Sequence, residues 1–254
     1  MYSIDKSSPI LVTGATGYIA GWVVKNLLDN GFTVHAPIRN FSNKKKRDHL
    51  DKIAGKSSAE IKYFEADLLN FGSYKEAMEG CQLVFHTASP FFLDSKDAQK
   101  ELIEPALEGT KNILNSVNET ESVKRVVLTS SVAAIYGDTI DSKMVTDGIF
   151  DETMWNTTSS LKAGEYSYSK TVAEKEAWKI CGKQKRWDLV TINPSFVVGP
   201  ALNPKANFES KKIILQMGNG DLKMGAPDIT IGVVDVRDVG EAHFNAGLNP
   251  KANG

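Results

Sequence analysis

The chain carries a tyrosine and a lysine at a spacing suited to acid–base chemistry on a carbonyl group. Tyr166 and Lys170 are four residues apart, so on a helix their side chains lie next to each other on one face. A phenol with an ordinary pKa of about 10 exchanges protons slowly near neutrality. A neighbouring ammonium group favours the phenolate and lowers that pKa. The pair is therefore predicted to exchange a proton with a substrate oxygen.

Two adjacent serines are candidates for the hydroxyl that holds the same substrate oxygen. Ser130 and Ser131 follow an apolar run at 125–128 that is predicted to be a strand. Successive side chains of an extended chain point in opposite directions, so spacing alone does not choose between the two serines. Tyr168 is a rival to Tyr166, but the residue four positions after it is Val172, which offers no charge.

A glycine-containing loop directly after the first apolar run is predicted to hold a dinucleotide. The run at 10–12 leads into residues 13–21, and apolar residues at helical spacing follow. Glycines allow a tight turn and close approach of the backbone to a pyrophosphate, whose charge then lies at a helix N-terminus. The alternative is a purely structural turn. The residues expected to contact the cofactor here are Gly14, Thr16, Gly17, Tyr18 and Ile19.

A basic residue at the end of the second predicted strand indicates which dinucleotide binds. Chains that bind NAD in this way carry a carboxylate there, which holds the ribose 2′-hydroxyl. This chain has Arg39 instead, followed by three lysines at 44–46. A guanidinium group can bind the 2′-phosphate of NADP through two hydrogen bonds. The alternative is the basic start of a solvated helix. We expect NADP(H) to be the cofactor.

Apolar runs alternate with helical patterns along most of the chain, which predicts an α/β fold with a doubly wound parallel sheet of the Rossmann type. Strands are expected at 10–12, 32–38, 61–64, 83–86, 125–128 and 189–193, with helices that include 74–79, 99–117, 168–181, 210–217 and 236–246. Residues 1–195 are expected to form the nucleotide-binding domain, which includes the candidate catalytic residues. Residues 196–254 are expected to form a partial substrate-binding lobe, with 228–246 returning to the first domain. The chain is expected to lack the end of that lobe.

Composition excludes several other classes. The chain has 254 residues, 41% of them hydrophobic and 24% charged, which is sufficient for a globular core. A net charge of −1 argues against nucleic-acid binding. Two cysteines and four scattered histidines lack the spacing of a metal site. No signal sequence or membrane span is recognisable, so we expect a cytoplasmic monomer or homodimer with a small-molecule substrate.

The motifs taken together resemble the extended short-chain dehydrogenase/reductase superfamily over residues 10–246. The closest resemblance is to the group of dihydroflavonol and cinnamoyl-CoA reductases, which includes microbial aldehyde and ketone reductases. The segments that carry it are VTGATGYI (12–19), IR (38–39), KKK (44–46), ADL (66–68), VFHTASP (84–90), EGT (108–110), LTSS (128–131), DE (151–152), YSYSK (166–170), NPS (193–195) and VGP (198–200). The resemblance implies that Ser131 is the catalytic serine, Tyr166 the acid/base and Lys170 its assistant.

The same resemblance implies a set of cofactor contacts. Arg39 and Lys46 correspond to the positions that hold the 2′-phosphate, and Asp67 and Leu68 to those beside the adenine. The ribose and nicotinamide contacts implied are Ala88, Ser89, Pro90, Pro194 and Ser195. Asp67 could instead cap a helix, and Pro90 could simply form a turn.

The substrate is less clearly indicated. Flavonoid-reducing members carry an asparagine five positions after the serine, where this chain has Tyr136, which argues against a dihydroflavonol substrate. Phe91 and Phe92 are expected to form an apolar substrate wall, or else part of the core. The expected activity is NADPH-dependent reduction of an aldehyde or ketone. The alternatives are a sugar-nucleotide epimerase or dehydratase, and a non-catalytic NADP sensor.

Overall fold

Six parallel strands form the central sheet of the protein. They are β1 (Ile10–Thr13), β2 (Val34–Ile38), β3 (Ile61–Glu65), β4 (Leu83–His86), β5 (Arg125–Thr129) and β6 (Asp188–Ile192). The computed structural model describes residues 2–89, 96–145, 147–206, 208–221, 223, 225 and 231–252. The strand order is β3-β2-β1-β4-β5-β6, so the direction of winding reverses between β1 and β4. Ligands of such sheets bind beyond the carboxyl ends of the strands at this reversal.

Helices cover both faces of the sheet. They are α1 (Tyr18–Asp29), α2 (Lys44–Ala54), α3 (Lys75–Met78), α4 (Glu104–Glu119), α5 (Glu165–Cys181), α6 (Glu209–Gly218) and α7 (Val236–Leu248). Alternate residues of each strand point to opposite faces. Ile10 and Val12 therefore pack in one core cluster with α1, α2 and α7, whereas Leu11 packs in the other with α3, α4 and α5. The predicted α/β class with a doubly wound parallel sheet is confirmed.

The element boundaries differ from the prediction at several points. β2 begins at Val34 rather than at residue 32, and Phe32 is instead buried in the core after the turn at Gly31. Residues Gln99–Ile103 form a π-helical turn and α4 begins only at Glu104. Pro105 lies in the first turn of α4, directly after the π-helical turn, and it has no N–H to donate to that turn. Helix α5 begins at Glu165, three residues before the predicted start, and therefore includes Tyr166.

Two short strands and the last helix follow the central sheet. β7 (Phe196–Val198) and β8 (Val233–Asp235) pair in parallel. Helix α7 packs against α1 and β4: a Cβ atom on Gly240 would lie 2.8 Å from Trp22 Cβ, and one on Gly247 would lie 2.6 Å from Phe85 Cζ. These close approaches explain why both positions in α7 are glycine. The division into domains at residue 195 stays a prediction.

A buried arginine holds the end of α7 against the sheet. Arg125, which is 1% exposed, donates two hydrogen bonds to the carboxylate of Asp188, at 2.7 and 2.8 Å. It also donates to the backbone carbonyls of Ala246, Asn249 and Ala252, at 2.8, 2.7 and 3.1 Å. Its charge is thus paired and its donors are used, as burial of a guanidinium group requires.

Within the described part of the chain, no helix is long and apolar enough to cross a membrane. Across the same ranges, His, Cys, Asp and Glu side chains do not gather in groups of three or more that could hold a metal ion. Cys81 is buried and Cys181 partly buried, and both are free thiols. The compartment and the oligomeric state stay predictions.

Candidate active site

The carboxyl ends of β1 and β4 are joined by the side chain of Thr13. Its hydroxyl oxygen accepts hydrogen bonds from the backbone N–H groups of Thr87 and Ala88, at 3.1 and 3.0 Å. The same hydroxyl lies 3.0 Å from Nδ1 of His86. Burial lowers the pKa of His86 to about 3, so this imidazole is neutral at physiological pH. Residues 87 and 88 are thereby fixed beside the glycine loop.

The glycine loop has the shape of a phosphate cradle. Gly14 has a φ of +63°, and a Cβ atom there would lie 3.1 Å from the Cα of Ala88. The N–H of Gly17 donates to the carbonyl of Gly14 at 2.7 Å, and Gly17 is the N-cap residue of α1, so no side chain caps this helix. The first turn of α1 carries only uncharged residues, so its N–H groups and the helix dipole favour an anion. This loop fits the pyrophosphate of a dinucleotide.

Two of the loop residues expected to contact the cofactor have their side chains engaged elsewhere. The hydroxyl of Tyr18 donates to the carbonyl of Gly199 at 2.8 Å, and its ring stacks on Phe208 with 3.8 Å between centroids. Ile19 packs against the core. We therefore expect these two residues to meet a ligand through their backbone N–H groups. Thr16 is half-buried between the two loop glycines.

Basic side chains are exposed beyond the end of β2. Arg39 directly follows the strand, and Lys46 lies in the first turn of α2, which consists of three lysines. Cations are disfavoured at a helix N-terminus by the dipole, so an anion placed there would relieve that cost. Arg47 is instead packed over the rings of Phe41 and Tyr63, at 5.4 and 4.7 Å from their centroids. The exposed pair fits the 2′-phosphate of NADP.

The turn after β3 is held by Asp67 and by a second side chain, Asn112, that the sequence did not single out. Oδ1 of Asp67 accepts the N–H of Leu69 at 2.8 Å, so this carboxylate shapes its own turn. The buried amide of Asn112 donates to the carbonyls of Leu68 and Asn70, both at 3.0 Å. Leu68 packs so closely on α4 that a Cβ atom on Gly109 would lie 2.5 Å from Leu68 Cγ. The adenine contacts of Asp67 and Leu68 stay a prediction.

The three candidate catalytic residues meet at the carboxyl end of β5. Tyr166 and Lys170 lie one turn apart on α5, with the lysine Nζ 5.8 Å from the centre of the tyrosine ring. The phenol of Tyr166 forms a hydrogen bond with the side chain of Ser131. The hydroxyl of Ser131 also accepts the N–H of Ala133 at 3.2 Å, which holds the serine in an extended conformation at the start of a 3-10 turn.

The adjacent serine faces a different partner. The hydroxyl of Ser130 donates to the carboxylate of Glu174, which is 7% exposed on the inner face of α5. Nδ2 of Asn193 donates to the same carboxylate oxygen at 2.9 Å. The alternation of side chains at the strand end thus directs Ser131 toward the tyrosine and Ser130 toward a buried glutamate.

Burial dominates the protonation of the pair on α5. Removal from water raises the pKa of Tyr166 to about 12, and the hydrogen bond with Ser131 acts in the opposite direction. Burial likewise lowers the pKa of Lys170 to about 8, and the charge of Glu174 opposes this change. The expected lowering of the tyrosine pKa is therefore wrong for this structure, because the cost of desolvating a phenolate raises that pKa instead. At neutral pH the phenol is protonated and able to donate.

The structure also describes several of the remaining predicted site residues. The carbonyl of Pro194 accepts the N–H of Val132 at 3.2 Å, which places Pro194 beside the catalytic serine. Ser195 follows, and a Cβ atom on Gly232 would lie 3.1 Å from the Cβ of Ser195. The ring of Tyr136 lies 4.7 Å from that of Phe150. Ser89 lines a small cavity together with Lys170. The predictions for Pro90, Phe91 and Phe92 lie outside the described residues.

Sequence reasoning missed four polar residues that support the site. Thr13 and His86 join the two central strands, and Glu174 and Asn193 form a pair behind the candidate catalytic residues. Glu174 lies four residues after Lys170, the same spacing that identified Lys170 from Tyr166. Applying the same four-residue spacing once more along the helix would therefore have identified Glu174.

Comparison with known proteins agrees with this geometry. A model of the "NAD dependent epimerase/dehydratase family" matches residues 10–253. A cinnamoyl-CoA reductase of Medicago truncatula is 45% identical over 257 residues, which span 100% of this chain and 76% of that protein. Among solved structures, the NADPH complex of Gre2 from Candida albicans superposes with a TM-score of 0.80 at 32% identity, covering 97% of this chain and 76% of that one. The NADPH complex of yeast methylglyoxal/isovaleraldehyde reductase gives a TM-score of 0.83 at 28% identity, covering 97% and 76%.

The family expected from the motifs is thereby confirmed. Its model spans nearly the whole chain, and the relatives match most of their own length. The protein belongs to the NAD-dependent epimerase/dehydratase family of extended short-chain dehydrogenases/reductases, within the group that contains the dihydroflavonol and cinnamoyl-CoA reductases.

Proposed function

We propose that this protein reduces an aldehyde or ketone to the alcohol, with NADPH as the hydride donor. The contact between Ser131 and Tyr166, with Lys170 one turn further along α5, carries this proposal. The relatives reported above are named as reductases, and two of the solved structures are NADPH complexes. The oxidoreductase class and the NADP(H) cofactor expected from the sequence are confirmed at that level. The reduction of an aldehyde or ketone by this chain is the proposal.

The chain offers a contact for each charged part of the cofactor. The backbone of the loop at Gly14 and Gly17 would hold the pyrophosphate, and Arg39 and Lys46 the 2′-phosphate. Ala88, Ser89, Pro194 and Ser195 would line the nicotinamide end. When bound there, NADPH supplies the hydride that reduces the carbonyl carbon.

The side chains around the substrate oxygen then have complementary roles. The hydroxyl of Ser131 and the phenol of Tyr166 donate hydrogen bonds to the oxygen and stabilise the charge that develops on it. Tyr166 transfers its proton to that oxygen as the alcohol forms. The ammonium group of Lys170 stabilises the phenolate that Tyr166 becomes, although it does not make the resting phenol acidic.

A panel of carbonyl compounds tests the proposal directly. NADPH oxidation is followed with aliphatic and aromatic aldehydes, ketones and a cinnamoyl thioester, and a sugar nucleotide is tested for epimerisation without net oxidation. We expect selective NADPH oxidation by at least one carbonyl class. Oxidation by none of them, together with conversion of the sugar nucleotide, would establish the epimerase alternative. NADPH binding without any turnover would establish the sensor alternative.

A matched pair of tyrosine variants tests the assignment of the acid. Tyr166→Phe is expected to lower kcat by roughly 10²–10⁴-fold while the Kd for NADPH stays unchanged, because the phenol acts on the substrate oxygen. Tyr168→Phe removes the same atom two residues further along α5 and is expected to retain kcat. If Tyr168→Phe is the damaging change, the acid has been assigned to the wrong tyrosine.

A further inference from the structure

A buried carboxylate lies behind the candidate catalytic residues and takes no part in the chemistry described so far. Glu174 accepts hydrogen bonds from the hydroxyl of Ser130, from Nδ2 of Asn193 at 2.9 Å and from the indole N–H of Trp178 at 3.3 Å. These three donors come from the end of β5, the end of β6 and the next turn of α5. Placing a carboxylate out of water is costly, so a buried one with several donors marks a built feature.

One of these donors links the carboxylate to the catalytic serine. Nδ2 of Asn193 also donates to the backbone carbonyl of Ser131, at 3.2 Å. The asparagine is thus shared between Glu174 and the residue whose hydroxyl meets Tyr166. Ser130, the other strand-end donor, is the direct neighbour of Ser131 in the chain. The position of the Ser131 backbone therefore depends on Glu174 through two routes.

The same carboxylate faces the candidate catalytic lysine. Glu174 lies one helical turn after Lys170, and both residues line a small cavity together with Ser130 and Thr110. Lys170 is 8% exposed, and the glutamate is the charge that favours its protonated form. An acid and a base buried in one cavity interact more strongly than a pair in water.

We propose that Glu174 is a positioning residue of this active site: its carboxylate holds the Ser131 backbone in place through Ser130 and Asn193, and supplies the countercharge that keeps Lys170 an ammonium ion. This inference rests on the reductase function proposed above.

The other titratable groups around Lys170 do not provide this charge. Strand β4 contributes His86 and helix α7 contributes His243, which lies 2.7 Å from the hydroxyl of Thr129. Burial lowers the pKa of these imidazoles to about 3 and about 4, so both are neutral from pH 6 to pH 10. Tyr166, on the same helix as Lys170, is protonated over that range. Helix α4 contributes the uncharged Thr110.

Titration of Lys170 in a Glu174→Gln variant tests the countercharge. The glutamine keeps the size and some hydrogen bonds of the side chain but removes the charge. Lysine labelled with ¹³C at Cε is followed by NMR, and Lys170→Arg assigns the signal. We expect the midpoint of Lys170 to fall by about 1 pH unit in Glu174→Gln, because the variant lacks the opposite charge that favours the ammonium form. In the kinetic assay, the alkaline fall of kcat is expected to move to lower pH by the same amount, with an unchanged Kd for NADPH.

Glu176→Gln is the matched control. It removes the same charge from the same helix, but Glu176 pairs with Lys179 at 3.0 Å, away from the cavity. We expect its Lys170 midpoint and its pH profile to equal those of the unmodified protein. If Glu174→Gln matches Glu176→Gln in both measurements, the proposal is overturned.

Two further outcomes remain decisive. If Glu174→Gln does not fold, Glu174→Asp replaces it, because the shorter side chain keeps the charge but withdraws it from Ser130 and Asn193. Both readouts are then expected to move in the same direction, and unchanged readouts in Glu174→Asp overturn the inference. The NMR titration needs no turnover, so a protein that reduces no carbonyl compound refutes the proposed function while the Lys170 titration still decides the role of Glu174.

Discussion

Position 14 of the cofactor loop requires glycine for two reasons, the positive φ angle and the close approach of Ala88, and both apply in the Gly14→Ala variant. The φ of +63° costs a residue with a Cβ atom ~1–2 kcal/mol relative to glycine. The new Cβ atom would also lie 3.1 Å from the Cα of Ala88, a backbone atom that the bonds to Thr13 hold in place. Relief of this contact must move the loop, and with it the N–H groups that face the pyrophosphate.

Gly31 provides a control in which only the first reason applies. Its φ is +81°, and no atom lies within 4 Å of a Cβ atom built there, counting the described residues. It follows the C-terminal end of α1, and is therefore at the opposite end of that helix from the loop. For a chain of this size ~1 kcal/mol corresponds to ~2–4 °C in Tm, so both variants are expected to lose ~2–8 °C. Only Gly14→Ala is expected to weaken NADPH binding, by about tenfold or more, which is ~1.4 kcal/mol.

Thermal unfolding gives the Tm of each variant, and calorimetric titration gives its Kd for NADPH. If Gly14→Ala binds NADPH as tightly as the unmodified protein does, the loop around Gly14 is not the pyrophosphate site. If both variants lose the same affinity, the loss comes from general destabilisation, and the close approach to Ala88 has no special role.

Two further expectations concern the cofactor and the pH profile. Arg39→Ala should weaken NADPH binding by roughly 10–100-fold, because it removes a charge-assisted contact worth ~1.5–3 kcal/mol. The NADH kinetics should stay unchanged. Equal losses for both cofactors would point to a folding defect. Because the pKa of Lys170 is about 8, its ammonium form is present below that pH and lost above it, so kcat for reduction should fall about tenfold per pH unit above pH 8. Lys170→Arg, whose guanidinium group stays charged, should remove this fall up to pH 10; a fall that persists in that variant would assign it to another group.

The fold was largely predictable because its strands are short apolar runs buried on both faces. Ile10–Thr13 and Leu83–His86 are entirely buried, and such strands appear in the sequence as continuous runs. The fully buried Arg125 could not be recognised, since an arginine at the start of a strand is ordinarily exposed. Its partners include backbone carbonyls at residues 246–252, which no local pattern relates to residue 125.

The site was predictable where spacing along one element determines contact, and not where contact depends on the direction of a side chain. Tyr166 and Lys170 share a helix, so their proximity follows from the helical repeat. Ser130 and Ser131 are adjacent at a strand end, and only the position of α5 relative to β5 decides which one meets the phenol. The pKa of Tyr166 likewise depends on burial, which the sequence does not report.

The packing of α7 against α1 and β4 has a consequence for synthesis of the protein. The face of the sheet at Leu83 and Phe85 is covered by Gly247 of α7, which follows it in the chain by about 160 residues. Ribosomes add ~5–20 residues per second, so ~10–30 s pass between translation of these apolar side chains and translation of the helix that covers them. Every candidate cofactor and catalytic residue has been translated by then. During that interval the nascent chain presents this apolar face to aggregation and to chaperones that bind apolar surface.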